Sequence, residues 1–258
     1  MQFREVRMGG PEGRIRVLGV GALSAVRVEE VASTLHLSEE QLACIPAAVE
    51  SLKRAGRVVT DGPTYRLESW ELGDSIALKV SRRSYFDSVL LKRNAHWGVR
   101  SRTLAVSCLI RCQDGYLIEK RSEKVAALPG RFHLCPAGSM VPDQHPLDTV
   151  EQEAWEELGL QPSELLDLRC LGLVYGEEVG VFQLVCLARI ECGLADLEAR
   201  DCSGSWERSE LIAAPMEAEA LACWILEYKE KLTVAGRSGL VMEGMRRWGE
   251  SWSEGLLA

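Results

Sequence analysis

Residues 138–160, GSMVPDQHPLDTVEQEAWEELGL, constrain this chain more than any other stretch. Leu147, Val150, Ala154 and Leu158 follow i, i+3, i+7 and i+11, which makes a narrow apolar stripe able to dock on a sheet. Pro146 suits the first helical turn, and Gly159 suits the left-handed residue just past the end. Glu153, Glu156 and Glu157 stand at i, i+3 and i+4, so the spacing predicts neighbours on an adjacent face, toward a cleft or solvent. Like charges so placed destabilise a bare helix and call for positive compensation. A divalent cation is the natural candidate, because Mg²⁺ prefers oxygen ligands and uses a few carboxylates together with phosphate and water. An ordinary solvated acidic face is the plain alternative; the glycines spaced around the helix weigh against it.

The same stretch resembles the nudix box, G-x5-E-x7-R-E-U-x-E-E-x-G-U, where U is a bulky aliphatic residue. Gly138 opens it, Glu153 falls on the Glu after the Arg position, Glu156 and Glu157 on the Glu pair, and Gly159-Leu160 on the close. Gln144 stands at the first Glu, Gln152 at the Arg, and Ala154 is a small residue at a U position. The resemblance implies an α/β (α+β) fold, a helix–sheet–helix sandwich with a mixed sheet. It also implies Mg²⁺ or Mn²⁺ held by Glu153, Glu156, Glu157 and the carbonyl of Gly138. Glu153 and Glu157 are then the best ligands, with Glu156 sharing the metals or activating water.

The two glutamines read two ways. Losing one anion and one cation together leaves local charge unchanged, as if an amide pair replaced an ion pair. Alternatively, Gln144 removes a carboxylate that helps hold metal. A neutral Gln can still offer an amide oxygen, so retained activity is the favoured reading, with Gln144 and Gln152 near substrate. Arg121 can grip a phosphate by its planar fork, or form a surface ion pair with Glu119 or Glu123.

At 258 residues the chain can bury a good core. Its formal net charge of −8 argues against a general nucleic-acid binder but not against phosphate substrates, because a metal supplies local positive charge. Nine scattered cysteines, none in a C-x-x-C pair, read as buried thiols of a reducing cytosol. The start, MQFREVRMGG, lacks the apolar core of a signal peptide, and no run approaches a membrane span; a cytoplasmic protein is expected.

The chain divides into an N-terminal α+β region over 1–100 and a nudix-like domain over 101–258. In the second, strands are expected over Thr103–Arg111, 116–120, 170–175 and 181–190, with Asp114-Gly115 as a hairpin turn and helices over 215–231 and 240–248. Arg121-Ser122, Val125-Ala126 and Pro129-Gly130 are similar to a subgroup containing UDP-glucose pyrophosphatases, as is the upstream stretch that includes Tyr85. Residues 28–70 read either as a structural preface or as a winged helix, two helices with a turn at His36-Leu37-Ser38 and then a β-hairpin. Pro46 interrupting the recognition helix, five Glu against four Lys or Arg over 27–60, and the turn at Asp61-Gly62-Pro63 favour the preface.

Other residues are weighed and set aside. Glu177 and Glu178 can supply a base or form a solvated turn, and Glu207 resembles a late family Glu but reads as structural. His133 and His145 flank the box without ligand spacing, and His145 can cap the helix. Tyr85 and Trp97 can stack on a base but read as core. The expectation is hydrolysis of a diphosphate linkage in a nucleoside diphosphate derivative, with a nucleotide-sugar foremost and a homodimer allowed. The rival is a catalytically inactive protein of the same fold that senses a nucleotide metabolite.

Overall fold

The structure is a computed structural model describing residues 6–8, 15–17, 26–73, 75–176 and 180–256. Glu177 and Glu178 lie outside the described residues. The chain opens with β1 (Val6–Met8), β2 (Ile15–Val17) and β3 (Val26–Glu30), then α1 (Glu39–Leu42) and α2 (Ile45–Arg54). A hairpin of β4 (Pro63–Leu72) and β5 (Ile76–Ser84) leads into α3 (Tyr85–Arg93). Next come β6 (Thr103–Arg111), β7 (Tyr116–Arg121), β8 (Phe132–Leu134), β9 (Ala137–Ser139) and α4 (Pro146–Leu158). The remainder is β10 (Leu166–Gly176), β11 (Val181–Arg189), α5 (Leu194–Glu198), β12 (Arg208–Ala214), α6 (Ala218–Tyr228) and α7 (Val234–Trp248).

All twelve strands among the described residues join one sheet, with β1-β2-β10-β11-β6-β4-β5-β3 as its main path. β11 runs parallel to β6 from Val181↔Thr103 to Arg189↔Arg111, and β3 parallel to β5; the other pairs are antiparallel. Strand alternation sorts the core into two layers. Leu104, Val106, Cys108 and Ile110 of β6 face Val150, Ala154 and Leu158 of α4. Leu109 of β6 and Val185 of β11 face the opposite way, against Leu221 and Ile225 of α6 and Leu240 and Val241 of α7. Helices on both faces of a mixed sheet give the expected sandwich. The sheet also runs on through residue 100, because β4 meets β6 at Arg66↔Thr103 and Leu67 N–H donates to the Arg102 carbonyl at 2.8 Å.

Several sequence expectations shift. Pro46 does not interrupt a helix; it occupies the first turn of α2, where a missing N–H costs little. The β4–β5 hairpin is built into the main sheet rather than projecting as a wing. α7 begins at Val234, six residues before the apolar periodicity at 240, because Thr233 caps it by accepting from Gly236 N–H. Gly236 and Gly239, poor helix formers, are accommodated there because both are buried, the first beside the Phe132 carbonyl and the second against Leu134 of β8. α6 is shorter than expected, and α3, β8, β9 and β12 went unread. All nine cysteines are free thiols, but Cys44 and Cys223 are exposed rather than buried. No helix among the described residues is long and apolar enough to cross a membrane.

Candidate metal centre and adjoining cavity

The acidic helix α4 is fastened at both ends. His145 caps it, with Nδ1 accepting from Leu147 N–H at 3.3 Å, and the carboxylate of Asp148 accepts back from His145 N–H at 3.3 Å. Gly159 takes the left-handed conformation at φ 65°, which suits a residue without a Cβ. The last carbonyls are bound from outside the helix. Gly204 N–H donates to Glu156 O at 2.7 Å, Arg200 to Gly159 O at 2.9 Å, and Arg208 to Glu157 O. Cations at a helix C-terminus also suit its dipole.

That fastening aims the carboxylates inward. Glu153 lies over the backbone of Gly138 so closely that a Cβ there would sit 1.7 Å from Oε1. Glycine at this position is therefore a condition of the arrangement. Glu157 is buried, not turned toward a cleft as the helix spacing predicted. Its Oε2 accepts from Ala137 N–H at 3.2 Å and from the Cys135 thiol at 3.4 Å. The cause is tertiary: residues 202–208 cover the last turn of α4, and the turn between β8 and β9 supplies donors from below.

Two more carboxylates join from far along the chain. Glu119 of β7 is buried, and Glu119, Cys135 and Glu157 bring ligand atoms within 4.8 Å of one another. Glu207, half-buried just before β12, completes a group of five with Glu153, Glu156 and Glu157. Burial, then the charges of Glu156 and Glu207, push the Glu153 carboxyl up to about 8. Glu119 rises to about 7, chiefly by burial, with Arg121 opposing. Burial and then Glu119, Glu153 and Glu207 raise Glu157 well above the carboxylate range, and burial raises Glu207. Burial and crowding both disfavour the ionised forms, and a divalent cation relieves both. The oxygen-rich donor set fits Mg²⁺ or Mn²⁺.

Gln144 and Gln152 touch. Thr149 Oγ1 donates to Gln144 Oε1 at 3.2 Å, Gln144 Nε2 to Gln152 Oε1 at 2.9 Å, and Gln152 Nε2 to Glu156 Oε1 at 2.8 Å. A run of amides thus links the loop before α4 to the carboxylate cluster. Arg121 pairs with Glu119 at 3.3 Å, but the contact is buried rather than on the surface.

Beside this cluster lies a cavity of about 450 Å³, with Gly138, Arg121, Glu207, Tyr85 and Lys92 on its wall. His133 is on the wall too, although the sequence reading left it outside the site. Its Nδ1 is 2.5 Å from Thr233 Oγ1, and burial, with Arg121, holds the imidazole well below its usual range. Tyr85 reaches the cavity, whereas Trp97 packs with the core beside α2 and α3. Glu119 was read only as a partner for Arg121, and Glu207 only as structural. An isolated Glu inside a β-strand pattern was the one available signal for Glu119.

No family model matches the chain, and no curated protein matches it. Solved structures do. A MutT protein from Methanosarcina mazei matches at 21% identity over 57% of this chain and 96% of that one, with TM-score 0.39. A nudix hydrolase from Nitrosomonas europaea matches at 16% identity over 57% of this chain and 73% of that one, with TM-score 0.35. A bifunctional NMN adenylyltransferase/ADP ribose pyrophosphatase from Francisella tularensis matches at 12% identity over 64% of this chain and 49% of that one, with TM-score 0.43.

Proposed function

We propose that this protein is a nudix-type, Mg²⁺- or Mn²⁺-dependent hydrolase that cleaves a diphosphate linkage in a nucleoside diphosphate derivative, with a nucleotide-sugar the first candidate. The observation that carries this reading is the mutual crowding of Glu119, Glu153, Glu156, Glu157 and Glu207, with Glu153 lying over a glycine whose missing Cβ makes room for it. In this reading Glu153, Glu156, Glu157 and the Gly138 carbonyl hold the metal. A bound divalent cation neutralises phosphate charge and lowers the pKa of water.

The chain's own groups supply the rest. Glu207 is the carboxylate that the cavity wall presents, so it takes the proton of the attacking water. Arg121, pinned by Glu119 and by the Ala127 carbonyl at 3.1 Å, holds a fixed fork toward phosphate oxygens. Neutral His133 and the apolar wall around it exclude bulk water, which strengthens these electrostatic contacts. The test is a screen of nucleoside diphosphate derivatives with Mg²⁺ and Mn²⁺, reading phosphate released after phosphatase treatment. Metal-dependent release that Glu153→Gln and Glu157→Gln abolish is the expected result. Full activity in both variants refutes it.

One observation favours a second reading, a nucleotide sensor without turnover. The first Glu position of the box carries Gln144, and its amide is committed to Gln152. Tight metal-dependent nucleotide binding with no released phosphate in the same screen establishes the sensor instead.

A further inference from the structure

α3 places two polar side chains on the cavity. Tyr85 and Lys92 are seven residues apart, two turns along one helix face, and both contribute to its wall. The helix that carries them is firmly seated. Ser84 caps it by accepting from Phe86 N–H at 3.0 Å, Arg83 pairs with Asp87 at 2.9 Å, and Ser88 Oγ hydrogen-bonds Thr103 Oγ1 of β6. Val89, Leu90 and Leu91 are buried beneath it. α3 thus holds the Lys92 backbone beside the cavity, with the side chain part-buried on its wall.

Its ammonium group has no hydrogen bond or ion pair among the described residues. The charged group that acts on it is another cation, Arg121, and burial together with that repulsion lowers the Lys92 amine to about 8. Charges withdrawn from water are normally paired, because an uncompensated one costs several kcal/mol. Arg121 is largely answered by Glu119; Lys92 is answered by no anion among the described residues. Around them the wall mixes apolar Ala126, Ala127 and Leu128 with polar His133 and the Glu207 carboxylate.

We propose that Lys92, with Arg121, forms an anion subsite that accepts a phosphate group of the ligand lying beyond the oxygens held at the carboxylate cluster. This rests on the hydrolase reading for the identity of the ligand's other half, but not for the subsite itself. A phosphate monoester fits better than a carboxylate, since its charge of about −1.5 to −2 answers two cations. Arg121 offers the planar fork and Lys92 the point charge, a common division of labour around phosphate. The region before residue 100 thereby supplies a positioning residue to a site whose other polar groups come from beyond it.

The test uses the full-length, metal-free protein with inorganic phosphate as the probe, followed by calorimetric titration. Wild type binds phosphate; Lys92→Met weakens binding about tenfold or more while keeping or raising its thermal midpoint, and Lys92→Arg restores most of the binding. A cleft at the other end of β6 and β11 carries Arg111, Arg189 and Arg247 and is the competing sink for phosphate. Arg189→Gln is therefore run alongside and leaves the affinity unchanged. Equal affinity in wild type and Lys92→Met, or a loss that follows Arg189→Gln instead, overturns the subsite. If Lys92→Met loses phosphate while no diphosphate substrate is ever hydrolysed, the subsite stands and the hydrolase reading falls. If turnover is found and its KM and kcat do not respond to Lys92→Met, with phosphate affinity also unchanged, the hydrolase stands and the subsite falls.

Discussion

Replacing Glu153 by glutamine should stabilise the metal-free protein increasingly as pH rises above 4.5, and fully only above about 8. The Glu153 carboxyl is raised from 4.5 to about 8 by burial, then by Glu156 and Glu207. Since the folded value lies above the unfolded one, the stability tied to this group is fully present below pH 4.5. It is lost as pH rises through about 8. At about 1.4 kcal/mol per unit, the loss at neutral pH has a ceiling of roughly 3.5 kcal/mol. The side chain is only half-buried, and solvent screening brings this to about 1–2 kcal/mol. Glutamine keeps the shape and removes the charge. Urea unfolding with chelator present should therefore find wild type and Glu153→Gln about equal near pH 5, and the variant about 1–2 kcal/mol more stable near pH 8.5. Excess Mg²⁺ should restore the wild type and leave the variant almost unmoved. A variant that is destabilised equally at both pH values would refute the reasoning, because Glu153 would then act through packing and not through crowded charge.

Three further outcomes follow from the same geometry. Gly138→Ala must push the Glu153 carboxylate aside, since the new Cβ would meet Oε1 at 1.7 Å; metal titration should show weakened affinity, with a stability loss of about 1–3 kcal/mol. In a double-mutant cycle, Gln144→Glu and Gln152→Arg should couple by roughly 0.5–3 kcal/mol in denaturant unfolding, because the two amides touch; additivity would contradict that contact. Leu158→Ala, fully buried between α4 and the sheet, should cost about 2–5 kcal/mol, read as a lower unfolding midpoint at unchanged slope.

What the sequence disclosed was local in character. Leu147, Val150, Ala154 and Leu158 announce a docked helix because their period is set by a single element, and Pro146 and Gly159 mark its ends by backbone geometry alone. Glu119 and Glu207 could not be read that way. They reach the cluster only because β7 pairs with both β8 and β12, so their arrival depends on sheet register and not on spacing. Glu157 was misplaced for a similar reason: helix periodicity fixes its angle, whereas the residues that bury it, 202–208, lie elsewhere in the chain. α3 escaped notice because nine residues show little amphipathic pattern when the helix is buried along much of its length. Its contribution to the cavity, Lys92, escaped with it.

The amide run from Thr149 through Gln144 and Gln152 to Glu156 has a consequence for how the site behaves in brine. An Arg–Glu pair at these two positions would be partly exposed, and dissolved ions screen such pairs over about 10 Å at 0.1 M salt. Two amides carry no net charge for ions to shield and no proton to exchange across the physiological range. The Gln144–Gln152 contact between the loop before α4 and the acidic helix is therefore indifferent to ionic strength, unlike the exposed Arg82–Asp143 pair that also holds the loop. Salt that loosens this loop acts through the Arg82–Asp143 pair and leaves the amide contact in place.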